Sequence, residues 1–81
     1  MQDLELELHN LFPKRRGLRS ITVQLLRELA HAPKKQQEIT DFYFDGNEKN
    51  ASRFLSVLEE NEYITRVYEE RVKVVKAYIG K

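Results

Sequence analysis

An 81-residue chain, 41% hydrophobic and 33% charged, supports one small domain with a modest core and leaves little material for a deep catalytic cleft. Its net charge of +1 gives no bulk basicity of the kind that announces nucleic acid. The absence of cysteine excludes disulfides, thiolate catalysis and cysteine zinc sites, and it permits a reducing cytoplasm, the compartment expected here. No run approaches the roughly 20 apolar residues that a membrane span needs, and the acidic start has no apolar stretch of a secretory signal.

Where the charges sit is more informative than their sum. Asp3, Glu5 and Glu7 are followed by a basic cluster, Lys14, Arg15, Arg16 and Arg19. Glu59, Glu60, Glu62, Glu69 and Glu70, interrupted by Arg66, precede a basic end with Arg71, Lys73, Lys76 and Lys81.

Along the chain, "DLELELHNLF" alternates like a strand at Leu4, Leu6 and Leu8 but steps like a helix at Leu4, Leu8, Leu11 and Phe12. Leu and Glu form helices better than strands, so a short helix within residues 1–12 is expected, ended by Pro13. Residues 13–19 read as a basic linker. "SITVQLLRELAHA" predicts a helix capped by Ser20 and stopped by Pro33, its wide apolar arc made of Ile21, Val23, Leu25, Leu26, Leu29 and Ala30. "KKQQEITDFYF" predicts a short helix with an inner stripe of Ile39, Phe42 and Tyr43. "DGN" then breaks the chain, because Gly46 and Asn47 tolerate positive φ. A helix opened by Asn47 or Asn50 follows, with Ala51, Phe54, Leu55 and Leu58 inside and Asn61 as its left-handed stop. "YITRVYEERVKVVKAYIG" is rich in strand formers and splits at Glu69-Glu70 into an antiparallel hairpin.

This order resembles the winged helix-turn-helix family, an α+β fold of a three-helix bundle with a C-terminal β-hairpin wing. The resemblance lies in "ITVQLLRELA", "QQEITDFYF", the tight "DGN" turn and "ASRFLSVLEENEYI", where a recognition helix leads through "LxxLEExxYI" into the first wing strand. It covers residues 20–79, with residues 1–12 an additional leucine-rich helix. It implies sequence-specific binding of double-stranded DNA by a small transcription regulator, with the helix after the turn in the major groove and the wing on backbone or minor groove.

The parts for that role are present. Lys49, Ser52, Arg53 and Ser56 cluster opposite the apolar stripe of that helix, with Glu60 late on the same side. Arg53, one turn in, suits a guanine edge, and Lys49 suits a phosphate. Lys34 and Lys35 before the preceding helix, Arg15, Arg16 and Arg19 in the linker, and Arg66, Arg71 and Lys73 in the wing are further candidate backbone contacts. A polar face with two cations is also what any surface helix shows, and fold does not fix function. Glu69 and Glu70 at the expected wing tip would repel phosphates. They keep open an alternative, a winged-helix protein–protein interaction module in a replication or partition complex.

Other chemistries find little support. His9 and His31 lack metal-ligand spacing, so no metal or cofactor is expected. Ser20, Ser52 and Ser56 lack a nucleophile-elbow pattern, and no glycine-rich loop cradles a phosphate. Glu59 and Glu60, adjacent on a helix, point apart. An enzyme is therefore not expected, and no small-molecule substrate is evident. The aromatic residues Phe42, Tyr43, Phe44, Phe54, Tyr63, Tyr68 and Tyr78 read as core and boundary packing rather than base-stacking platforms. The N-terminal leucines either cover the domain's own core or form the seam of a homodimer.

Overall fold

The computed structural model describes residues 4–79, so Asp3 and Lys81 of the charge map, the first three residues of the range in which an N-terminal helix is expected, and Gly80 lie outside the described residues. The described chain is α+β. Its elements run α1 (Leu4–Leu11), α2 (Arg16–Leu29), β1 (Lys34–Lys35), α3 (Gln36–Phe44), α4 (Glu48–Glu60), β2 (Ile64–Glu69) and β3 (Val72–Ala77). The strands form one antiparallel sheet in the order β1-β3-β2.

α1 forms where the helical reading of its leucines placed it. Leu8 and Phe12 are buried and Leu11 is half-buried, while Leu4 stays exposed. Pro13 has no N–H to continue the helix. The Phe12 carbonyl that the helix end leaves free accepts from the Arg15 N–H at 3.2 Å and from Arg19 Nη1 at 2.5 Å.

That second bond helps explain why α2 begins earlier than expected. The linker is shorter than residues 13–19, and Ser20 lies inside the helix, exposed, rather than at its cap. Arg15 is the N-cap without a side-chain bond. The extra turn is held by tertiary contact instead: Arg19 ties back to Phe12, and Leu18 packs on the core. Within α2, Leu25 and Leu29 are buried, but Leu26 is only partly so and Ala30 is exposed. Thr22 is fully buried instead, at no polar cost, because its hydroxyl donates to the Leu18 carbonyl at 2.7 Å.

β1 is not anticipated by the sequence pattern. Two lysines carry little strand preference. They become a strand by pairing with β3, Lys34 opposite Val75 and Lys35 opposite Val74. α3 then starts at Gln36, with the Lys35 N–H donating to Glu38 Oε1 at 3.0 Å. Its inner face is Ile39 and Thr40, flanked by half-buried Tyr43 and Phe44. Phe42, expected on that stripe, is 72% exposed. Tyr43 OH donates to Glu28 at 3.1 Å and Phe44 tilts against Phe54 with ring centroids 5.3 Å apart, and these contacts set the helix rotation.

The turn takes its positive φ one residue earlier than expected, at Asp45 and Gly46, while Asn47 has a φ of −79°. Asp45 and Gly46 both have positive φ, 51° and 81°, and the Gly46 N–H closes α3 on the Thr40 carbonyl. Asn47 caps α4, its side chain accepting from the Asn50 N–H at 3.0 Å. Ala51, Phe54, Leu55 and Leu58 are all buried, as the stripe predicts. At the other end the left-handed residue is Glu62 (φ 65°), not Asn61, whose side chain instead donates to the Val57 carbonyl.

β2 and β3 pair from Ile64–Ala77 out to Glu69–Val72, so the connecting loop is Glu70-Arg71, one residue later than the expected split. Both loop residues have positive φ, 51° and 69°, the geometry of a type I′ turn, which favours Asn-Gly. Side chains in left-handed backbone cost about 1–2 kcal/mol per residue. Replacing Glu70→Asn together with Arg71→Gly should therefore stabilise the domain by about 1 kcal/mol. Thermal unfolding should show it as a rise of roughly 4–8 °C, and an unchanged or lower midpoint would contradict this turn.

Alternation along the hairpin puts Ile64, Arg66 and Tyr68 of β2 on one face with Lys73, Val75 and Ala77 of β3. At the inner end of that face, Ile64 and Val75 join the core with Leu25, Ile39, Leu55 and Leu58. Farther out the same face carries Arg66, Tyr68 and Lys73 toward the tip.

Candidate functional site

α4 separates two grooves. On the hairpin side, a groove of about 570 Å³ is lined by the first turns of α3 (Gln36, Gln37, Thr40), the first turns of α4 (Glu48, Lys49, Ser52) and the start of β3 (Arg71, Val72, Lys73). Two helix N-termini open on it, each adding partial positive charge to that of Lys49, Arg71 and Lys73. Glu48 is the acid among these lining residues. A smaller recess of about 270 Å³ shares Ser52 and Lys73 and adds Arg66, Val67 and Tyr68. Tyr68 is 71% exposed, and Lys73, directly opposite it in register, sets its ammonium 5.9 Å from the ring centroid.

Arg66 plays a different part from the one its sequence position suggests. Its Nε and Nη2 donate to Glu59 Oε1 at 3.0 and 2.9 Å, and Nη2 also donates to Ser56 Oγ at 3.0 Å. The side chain is 19% exposed. Ser56 and Arg66, both expected as contacts to a ligand, are thus brought together with Glu59 as a clamp between hairpin and α4. Their charge and donor capacity are largely used internally.

Arg53 does not share the groove with Lys49 and Ser52. It lies on the opposite flank of α4, in a cleft with Lys14 and Arg15. Lys34 turns away from both, its ammonium 3.8 Å from Glu28 in a depression also lined by Glu38, Asp41 and Phe42. Lys35 is exposed and lines neither groove. The basic linker divides too: Arg16 and Arg19 face α1, with Glu5 and His9, rather than α4. At the hairpin tip, Glu69 is neutralised by Lys76 at 2.8 Å, which removes part of the repulsion expected there.

Three site residues escaped the sequence reading. Gln36 and Gln37 line the groove because α3 begins there, and buried Gln36 Oε1 accepts no hydrogen bond among the described residues. Tyr68, taken for boundary packing, is a solvent-facing platform. The signal for it was present, since Arg66 and Tyr68 alternate on one strand face.

Two half-buried phenols brace the scaffold without entering the grooves on either side of α4. Burial, with a hydrogen bond to Glu28 and that carboxylate's charge, pushes Tyr43 up to about 12. Tyr63 is pushed up to about 12 in the same way, its hydroxyl donating to Glu7 of α1. Among the described residues no three His, Cys, Asp or Glu side chains gather to hold a metal ion, and no helix is long and apolar enough to cross a membrane. In comparisons with known proteins, no family model, curated protein or solved structure matches this chain.

Proposed function

We propose that this chain is a cytoplasmic winged-helix protein that binds double-stranded DNA, with α4 in the major groove and the β2–β3 hairpin as the wing, acting as a small transcription regulator. The observation that supports this best is the convergence of Lys49, Arg71 and Lys73 with two helix N-termini on one side of α4. A phosphate backbone tracking that groove would meet positive potential along its length. The exposed outer side of α4 carries Arg53 one turn in, with no ion-pair partner among the described residues, and its fork fits a guanine edge. Ser52 is placed to reach a phosphate or base. Glu59, Ser56 and Arg66 hold the angle between helix and wing.

Fluorescence anisotropy with mixed duplex DNA across a salt series tests this reading. Lys49→Ala should weaken all sequences alike and lower the salt slope by about one. Arg53→Ala should cost about 1–3 kcal/mol on a preferred site and flatten sequence preference. Equal losses on preferred and random duplexes would remove base reading by Arg53. No duplex binding by the parent protein at low salt would overturn the proposal.

One observation favours the second reading, a protein–protein module of a replication or partition complex. Phe42 stands 72% exposed beside Glu38 and Asp41, a surface that repels phosphates and suits a basic protein partner. A homodimer through α1 would have to use Leu4 and Leu6, since Leu8 and Phe12 are already buried in their own domain. Sedimentation at several concentrations reads that state directly.

A further inference from the structure

We propose that the cleft between the α1–α2 turn and α4 is a binding site for a small aromatic anion, a flat apolar body carrying one carboxylate or equivalent charge. The cleft measures about 410 Å³, within the range of small-ligand sites. Its accessible apolar wall is Leu11, Leu18 and half-buried Phe44, backed by the buried rings of Phe12 and Phe54. Phe12 stacks on Phe54 at 5.7 Å with an interplanar angle of 26°, and Phe44 tilts against the other side of the cluster at 5.3 Å from Phe54. Its rim is cationic: Lys14 and Arg15 come from the turn, and Arg53 from α4. None of the lining residues is acidic, and none of these three cations forms an ion pair among the described residues.

The chemistry of the ligand follows from the two halves of the site. Three unpaired cations around a concavity repel one another, and a single anion among them relieves that repulsion. An apolar wall lowers the local dielectric and strengthens the attraction. A bare phosphate would gain nothing from the apolar wall. A neutral apolar molecule would gain nothing from the rim. A flat aromatic acid uses both, its body displacing water from Leu11, Leu18 and the accessible part of Phe44 and its charge meeting Arg53. Asn50, on the same rim, offers amide donors beside the guanidinium. This site does not depend on the DNA reading, because its occupancy is measured without nucleic acid.

The test is a titration of the ¹⁵N-labelled full chain with 1-naphthoate, followed by amide chemical shifts. The control is 1-naphthalenemethanol, which has the same rings and no charge. Saturable shifts are expected at Leu11, Leu18, Asn50 and Phe54, with the alcohol binding at least about tenfold more weakly, a difference of about 1.4 kcal/mol. Arg53→Glu should weaken naphthoate about tenfold. Arg27→Glu, the same charge change on an α2 residue that lines none of the cleft, should leave the affinity unchanged. If Arg53→Glu fails to fold, Arg53→Gln and Lys14→Glu carry the same comparison. Absence of saturable shifts at millimolar naphthoate, shifts centred elsewhere, equal affinity for acid and alcohol, or equal weakening by Arg27→Glu would each overturn the proposal.

Discussion

Leu55→Ala is expected to unfold a large share of the protein at ordinary temperature. Leu55 is fully buried in the one cluster that joins α2, α3, α4 and the sheet, with Leu25, Ile39, Phe54, Leu58, Ile64 and Val75. Truncating a buried leucine costs about 2–5 kcal/mol, part transfer and part cavity. An 81-residue domain has a total stability of roughly 4–12 kcal/mol. The loss is therefore a large fraction of the whole, and the melting midpoint should fall by at least about 8 °C. Leu26→Ala should cost less, because Leu26 is only partly buried beside the same cluster. Urea and thermal unfolding followed by far-ultraviolet circular dichroism would separate the two. A Leu55→Ala protein that melts like the parent would mean that α4 does not bury this face.

Deleting residues 1–12 should abolish the fold rather than release a folded monomer. Leu8 and Phe12 are buried, and Phe12 stacks on Phe54, so removing α1 strips one wall from the core. Loss of the Phe12 side chain alone carries a cost of about 3–5 kcal/mol. The deletion also takes Glu7 from Tyr63 and the Phe12 carbonyl from Arg19. Tyrosine absorbance gives an independent readout. In the intact protein Tyr63 and Tyr43 ionise near 12 rather than 10, because their neutral forms are favoured in the fold. The stability this contributes is complete below pH 10 and lost as pH rises through about 12. In the deleted chain Tyr43 and Tyr63 should titrate near 10, the value of a free phenol. A truncated protein with a cooperative melt and a tyrosine still near 12 would show α1 to be separable.

The inner stripe of α4 was legible in the sequence because Ala51, Phe54, Leu55 and Leu58 repeat at helical spacing between a strong cap and a turn. The same reasoning misjudged Phe42 and Leu26. In each helix several apolar residues compete for too narrow an inward arc, and periodicity cannot choose the rotation. Packing chose it: Tyr43 reaches Glu28, Phe44 meets Phe54, and Thr22 goes inside because its own helix satisfies its hydroxyl.

The candidate site shows a similar division. Lys49, Ser52, Arg53 and Ser56 follow from helical spacing as one polar face. The face alone could not reveal that Ser56 would be tied to Arg66, or that Arg53 would turn toward Lys14 and Arg15 across the helix from Lys73. Those assignments depend on which neighbours pack on either flank of α4.

By itself, then, the sequence determined the helical segments, the DGN break, the hairpin composition and the core of α4, since each rests on local propensity and period over adjacent residues. Only the tertiary structure decided the early start of α2, the Lys34–Lys35 strand, the Glu70-Arg71 turn and the separation of Arg53 from Lys49, Arg71 and Lys73. Each of these depends on a partner distant in the chain: Phe12 for Arg19, Val74 and Val75 for the two lysines, the β2–β3 register for the turn, and the flanking helices for Arg53. Contacts between distant residues leave no periodic trace in a single sequence, and so their outcome appears only when the chain is packed.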